Sequence, residues 1–151
     1  AGYVCLMKGD YVGARQRFEE SIAAGYLSFV AHYLLGFLAD IQGDSKEAYW
    51  QYNRAIEVSA PPDGTLIEDI NILGYRALAL VGLGRWDEGK AILNTLDTSA
   101  SDSGEVLCNM ARGWAVMGER FRARELLSKA FAAHMGPTEK EIAFDPHFRS
   151  I

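Results

Sequence analysis

The sequence predicts an all-α protein in which antiparallel helix pairs stack into a solenoid. Three observations predict this. A glycine followed by a polar residue and a helical run recurs in Lys8-Gly9-Asp10-Tyr11, Gln42-Gly43-Asp44-Ser45, Leu83-Gly84-Arg85-Trp86 and Met117-Gly118-Glu119-Arg120. The intervals between these glycines are 34, 41 and 34 residues, so two agree and the third is longer by 7. Regular self-similarity at such a period marks a repeat array.

Companion positions keep step with the glycines. Five residues after each stands a small residue: Ala14, Ala48, Gly89 and Ala123. Nine after stands a large apolar one: Phe18, Tyr52, Leu93 and Leu127. Twelve after come Ser21, Ala55, Leu96 and Ala130, and seven before come Gly2, Gly36, Ala77 and Ala111. Each has a packing reason. The glycine adopts positive φ and closes a tight turn between two helices. The small residues let paired helices approach, and the large residue fills the space between them. Apolar residues spaced i, i+3, i+4 and i+7 bury one stripe of each helix.

The elements follow in order. Helix pairs are predicted at 2–8 with 11–24, 28–42 with 45–58, 66–82 with 86–97, and 103–117 with 120–133. They delimit repeats of about 1–27, 28–61, 66–102 and 103–136, followed by a capping segment at 137–151. Ala1 falls inside an apparent helix, which reads as a trimmed start. The longer interval holds Ser59-Ala60-Pro61-Pro62-Asp63-Gly64-Thr65, where proline ends a helix. Thr65 with Glu68 predicts a capping box, so the insertion lengthens the loop and also extends the next helix by about one turn. Thr138 with Glu141 predicts a second capping box and a short helix over the apolar end of the last pair. Asp145-Pro146-His147-Phe148 predicts a further cap with proline in a first turn.

This pattern resembles the tetratricopeptide repeat family over roughly residues 1–135. The best-matching stretch is Gly43-Asp44-Ser45-Lys46-Glu47-Ala48 with Tyr52 and Ala55, followed by Gly9-Asp10-Tyr11-Val12-Gly13-Ala14 with Phe18. The family's proline at the repeat end is missing after the first repeat, where Gly25-Tyr26 stands, and Leu96 occupies a place that is usually small. The Asp-Pro-x-Phe segment is also similar to the tail of bacterial arrays in this family. The resemblance implies a right-handed superhelix whose first helices line a concave groove.

Composition narrows the function classes. A net charge of −5 argues against a nucleic-acid partner, which calls for a basic face. Residues 1–75 carry 5 Lys/Arg against 10 Asp/Glu, and residues 76–151 carry 10 of each. Arg112, Arg120, Arg122, Arg124 and Lys129 give the fourth repeat a basic cast that reads as a solvated helix surface. No apolar run reaches 18 residues, so no membrane insertion is expected. Cys5 and Cys108 do not make a disulfide framework. No signal peptide is visible, which says little for a chain that reads as trimmed, so the location is left unknown with a cytoplasmic setting favoured.

The search for chemistry returns no enzyme. His32, His134 and His147 lie far apart, neither Cys has a Cys neighbour at ligand spacing, and no metal or cofactor is expected. Gly82-Leu83-Gly84-Arg85 lacks the strand and the Lys-Ser/Thr of a phosphate loop. Glu19-Glu20 and Asp87-Glu88 are expected to face solvent, His32 to pack, Cys5 to be inert in the core and Cys108 to lie nearer the groove.

By register, the groove implied by the resemblance runs along Tyr3, Leu6 and Met7, then Val30, Tyr33, Phe37, Asp40 and Ile41. It continues through Asn71, Gly74, Leu78, Val81 and Gly82 to Glu105, Cys108, Arg112, Ala115 and Val116. The clamp by which some family members grip the acidic tails of chaperones is missing, because Tyr33, Phe37, Gly74, Leu78 and Cys108 stand at its places. Tyr3, Met7, Tyr33, Phe37 and Leu78 suit an apolar or amphipathic segment of a protein partner, with Asp40, Asn71 and Arg112 orienting its polar edge. Small secretion chaperones of the family offer one version of that role. The alternative is a regulatory or oligomerising domain of a larger enzyme or transcription regulator. Its groove would be filled by its own chain or by a second copy in a homodimer. Trp50 is expected on the outer side.

Overall fold

A computed structural model describes residues 2–61, 63–99, 103–133, 136–149 and 151. These residues are all-helical, with no strand among them. The helices are α1 (Gly2–Met7), α2 (Tyr11–Ala23), α3 (Ser28–Gln42), α4 (Ser45–Val58), α5 (Ile70–Gly82), α6 (Trp86–Ser99), α7 (Gly104–Val116), α8 (Arg120–Ala132) and α9 (Glu139–Ala143). A 3-10 turn follows at Pro146–Phe148. The expectations placed on Pro62 and His134 fall outside the described residues.

Consecutive helices pair: α1 with α2, α3 with α4, α5 with α6, and α7 with α8. Each pair packs on the next, and α3 touches α5 as α5 touches α7. The four turn glycines have φ of 76°, 78°, 74° and 83°, the left-handed region that glycine enters without a Cβ clash. Asp10 and Asp44 then cap α2 and α4, accepting from the Gly13 and Glu47 amides. Glu119 makes no such bond to α8.

The companion positions meet as the periodicity requires. A Cβ on Gly2 would fall 2.6 Å from the Phe18 ring, and one on Gly36 would fall 2.7 Å from the Tyr52 ring. Ala77 with Leu93, and Ala111 with Leu127, share a second buried cluster. Tyr52 also lies against Gly82, so one ring is wedged between α3 and α5. Gly89 has no room for a side chain beside Val81. Two apolar clusters form the interior. One is centred on α1–α4 and the other on α6–α8, and α5 joins them by giving Leu78 and Ala79 to the first and Ala77 to the second.

Two expectations are corrected. Helix α5 starts at Ile70 rather than 66, and Thr65 with Glu68 forms no capping box. The Thr65 amide and hydroxyl instead bond Asp63 in a local turn, while Asp69 accepts from the Asn71 and Ile72 amides and sets the helix start. The seven extra residues therefore lengthen the loop alone. The second correction concerns α9. Its capping box forms as expected, but α9 buries no residue fully. Only Ile142 packs partly on the core, and the 3-10 turn after it, with Phe148 buried, closes against α7.

Candidate functional site: a buried C-terminal strap

The chain after α9 lies across the first helices of the pairs. Asp145 caps the turn at Pro146–Phe148 through the His147 amide, and Pro146 suits the fixed φ of a first turn. This local geometry directs the Asp145 and His147 side chains into the protein, where they are 2% and 7% exposed.

His147 is held on three sides. Its ring stacks on Phe37 of α3 with centroids 3.8 Å apart and 11° between planes. The Tyr33 hydroxyl lies 2.8 Å from Nε2, and Nδ1 lies 2.6 Å from the Asp145 carboxylate. A carboxylate only accepts, so Nδ1 carries the proton. Nε2 then accepts from Tyr33. Burial lowers the His147 pKa below its ordinary value, against the opposing pull of Asp145, and keeps the imidazole neutral.

The other carboxylate oxygen joins α7 and α1. It accepts from Arg112 Nε of α7 at 2.8 Å and from the Tyr3 hydroxyl of α1 at 2.8 Å. Arg112 also donates to the Tyr3 hydroxyl and, at 2.6 Å, to Asn109 Oδ1. Burial alone would raise the Asp145 pKa. The His147 hydrogen bond and the Arg112 charge outweigh it and hold the carboxyl well below the usual range.

Tyr33, His147 and Asp145 thus form a hydroxyl–imidazole–carboxylate chain. Its energetics oppose proton transfer at neutral pH. Burial pushes the Tyr33 phenol well above its ordinary value and pulls the imidazole down. The Cys108 thiol nearby is pushed up to about 11 by burial, so it is not an activated nucleophile.

Of the residues expected to line the groove, Tyr3, Tyr33, Phe37 and Arg112 converge on the strap. Met7 is half-buried and lines a cleft beside it. Leu78 is core, 3% exposed. Asp40 and Asn71 stand apart from this constellation. Asp40 accepts from Tyr52 at 2.6 Å, and Asn71 is exposed in the first turn of α5. Sequence reasoning read Asp145 and His147 as a cap and missed their part in this network, together with Asn109. A tail holding a carboxylate, an imidazole and an aromatic ring beside an apolar groove with one arginine was the available signal. Elsewhere, His32 is buried and bonded to Gln51, Trp50 is 54% exposed, and Cys5 is half-buried rather than in the core. The basic helix α8 is largely solvated, although Arg122 pairs with Asp97 and lies over the Trp114 ring at 4.0 Å.

No protein-family model matches the chain, and no curated protein or solved structure matches it.

Proposed function

We propose that the chain is a non-catalytic interaction module of the tetratricopeptide type, a right-handed stack of four helix pairs. In this reading its recognition groove holds its own C-terminal strap as a built-in ligand. A protein partner with an apolar or amphipathic segment binds by displacing the strap. The observation that carries this reading is the burial of Asp145 and His147 against Tyr3, Tyr33, Phe37 and Arg112, with Phe148 buried beside them in the cluster of α6–α8. An aromatic anchor in a pocket and a desolvated ion pair are the chemistry by which grooves hold foreign segments.

The test uses the strap as a ligand in trans. A labelled peptide covering residues 137–151 should bind saturably to a His147→Ala chain, whose own strap is loosened. It should bind at least about tenfold more weakly to the unaltered chain, where the strap competes at high effective concentration. Equal binding to both, or binding to neither, sinks the reading.

A second reading has one observation behind it. The lead-in through α9 buries no residue fully, so few contacts oppose its release. Exchange of straps between two copies would then yield a dimer. Sedimentation would detect it as a concentration-dependent species that Asp145→Ala removes.

A further inference from the structure

A cleft of about 710 Å³ opens between α1 and α9, beside the buried turn at Pro146–Phe148. Val4 and Met7 line one wall, and Pro137, Ile142 and Phe144 the other. Val4 is 53% and Phe144 60% exposed, so two apolar side chains that no described residue covers face one space. This size and lining fall in the class of small-ligand sites, which are largely apolar with a few polar groups that fix orientation.

The charge at the cleft is opposite to that of the chain. The protein carries −5, yet the cleft gathers Lys8, Lys140 and Arg112 against Glu141 alone. Arg112 is committed to Asp145. Glu141 turns back on its own helix, where its carboxylate accepts from the amide and hydroxyl of Thr138. Among the described residues, the ammonium groups of Lys8 and Lys140 pair with no carboxylate, and both side chains are exposed at the mouth. Apolar walls with free cations at the mouth complement an apolar body that ends in an anion.

The length of the walls selects the kind of body. Helix α9 has 5 residues, so at about 1.5 Å per residue its wall runs roughly 7–8 Å. A partner helix anchored at i, i+4 and i+7 would need a longer face. A single folded acyl chain fits the space.

We propose that this cleft binds a single-chain carboxylate amphiphile of the fatty-acid type, with its hydrocarbon between α1 and α9 and its carboxylate met by Lys8 and Lys140. The strap stays docked throughout, so the proposal stands or falls apart from strap displacement.

The test is a fluorescence titration of the full chain with a dansylated undecanoic acid below its micellar concentration, with dodecanoate and dodecanol as competitors. One saturable site is expected, and dodecanoate should displace the probe about tenfold better than dodecanol. Lys8→Gln with Lys140→Gln should weaken dodecanoate about tenfold and leave dodecanol unchanged, the scale of two exposed charge pairs. Phe144→Ala, which removes an exposed ring, should weaken both competitors. Absence of saturable binding, equal competition by the alcohol, or an unaltered dodecanoate affinity in the lysine variant overturns the proposal. So does an acidic amphipathic peptide that binds the cleft and is not displaced by dodecanoate.

Discussion

The imidazole of His147 lies parallel to the ring of Phe37, with centroids 3.8 Å apart, and presents Nε2 to the Tyr33 hydroxyl. A neutral imidazole from the tail is thereby built into the face of α3. Tyr33→Phe keeps the ring and removes the hydroxyl, leaving a buried Nε2 without its donor. It should cost about 1–3 kcal/mol of unfolding free energy, measured by urea denaturation.

The same imidazole makes stability depend on pH. Its folded pKa lies below the ordinary 6.5, so the unfolded chain takes up the proton first. The neutral form's contribution is complete above about pH 6.5 and is lost as pH falls through the folded value. Asp145 acts in the same direction lower down. Its depressed carboxyl contributes fully above the ordinary 3.8 and loses that contribution as pH falls through the folded value. Urea midpoints should therefore decline as pH falls below about 6.5, and His147→Gln should flatten that decline. A slope that His147→Gln leaves unchanged would place the titration elsewhere.

Asp145 neutralises an arginine whose side chain is only 12% exposed. Removing one partner of a buried pair strands the other charge, at about 3–5 kcal/mol. Asp145→Ala should show a loss of that size. Arg112→Met combined with Asp145→Ala should cost less than the sum of the two single changes, as a double-mutant cycle would read.

At Gly36 two effects oppose each other. Alanine would favour the helix by up to about 1 kcal/mol. Its Cβ would also fall 2.7 Å from the Tyr52 ring, and such overpacking costs about 1–3 kcal/mol. Gly36→Ala should thus be destabilising on balance, with the loss reduced when Tyr52→Leu is added. Thermal melts of the three variants would check the order.

Glu119 is the N-cap of helix α8 and forms no capping bond, whereas Asp10 and Asp44 cap at the equivalent place after their turn glycines. Glu119→Asp shortens the side chain to capping length. It should stabilise the protein by about 0.5–1 kcal/mol in urea denaturation.

Much of the fold was legible because the constraints that set it are local. Gly9, Gly43, Gly84 and Gly118 announce turns that need positive φ, and all four have it. Gly2 with Phe18 and Gly36 with Tyr52 are complementary in size at fixed spacing, and they touch. The start of α5 was misread because three residues, Asp63, Thr65 and Asp69, compete for the same role over a few positions. Geometry, not residue type, decides among them. The candidate site was legible by half. Tyr3, Tyr33, Phe37 and Arg112 follow from register, but what they hold comes from the far end of the chain. No local periodicity encodes the bond between Tyr3 and Asp145, which spans 142 positions.

That bond bears on how the molecule comes apart. In a linear array each unit touches only its neighbours, and the ends fray independently of the middle. Here Asp145 and Arg112 tie α7 to Tyr3 of α1, so the first and last helix pairs share one circuit. Opening either helix breaks the same knot of hydrogen bonds. Helices α1 and α7 should therefore exchange their amide hydrogens as a single cooperative unit rather than as two separately opening ones.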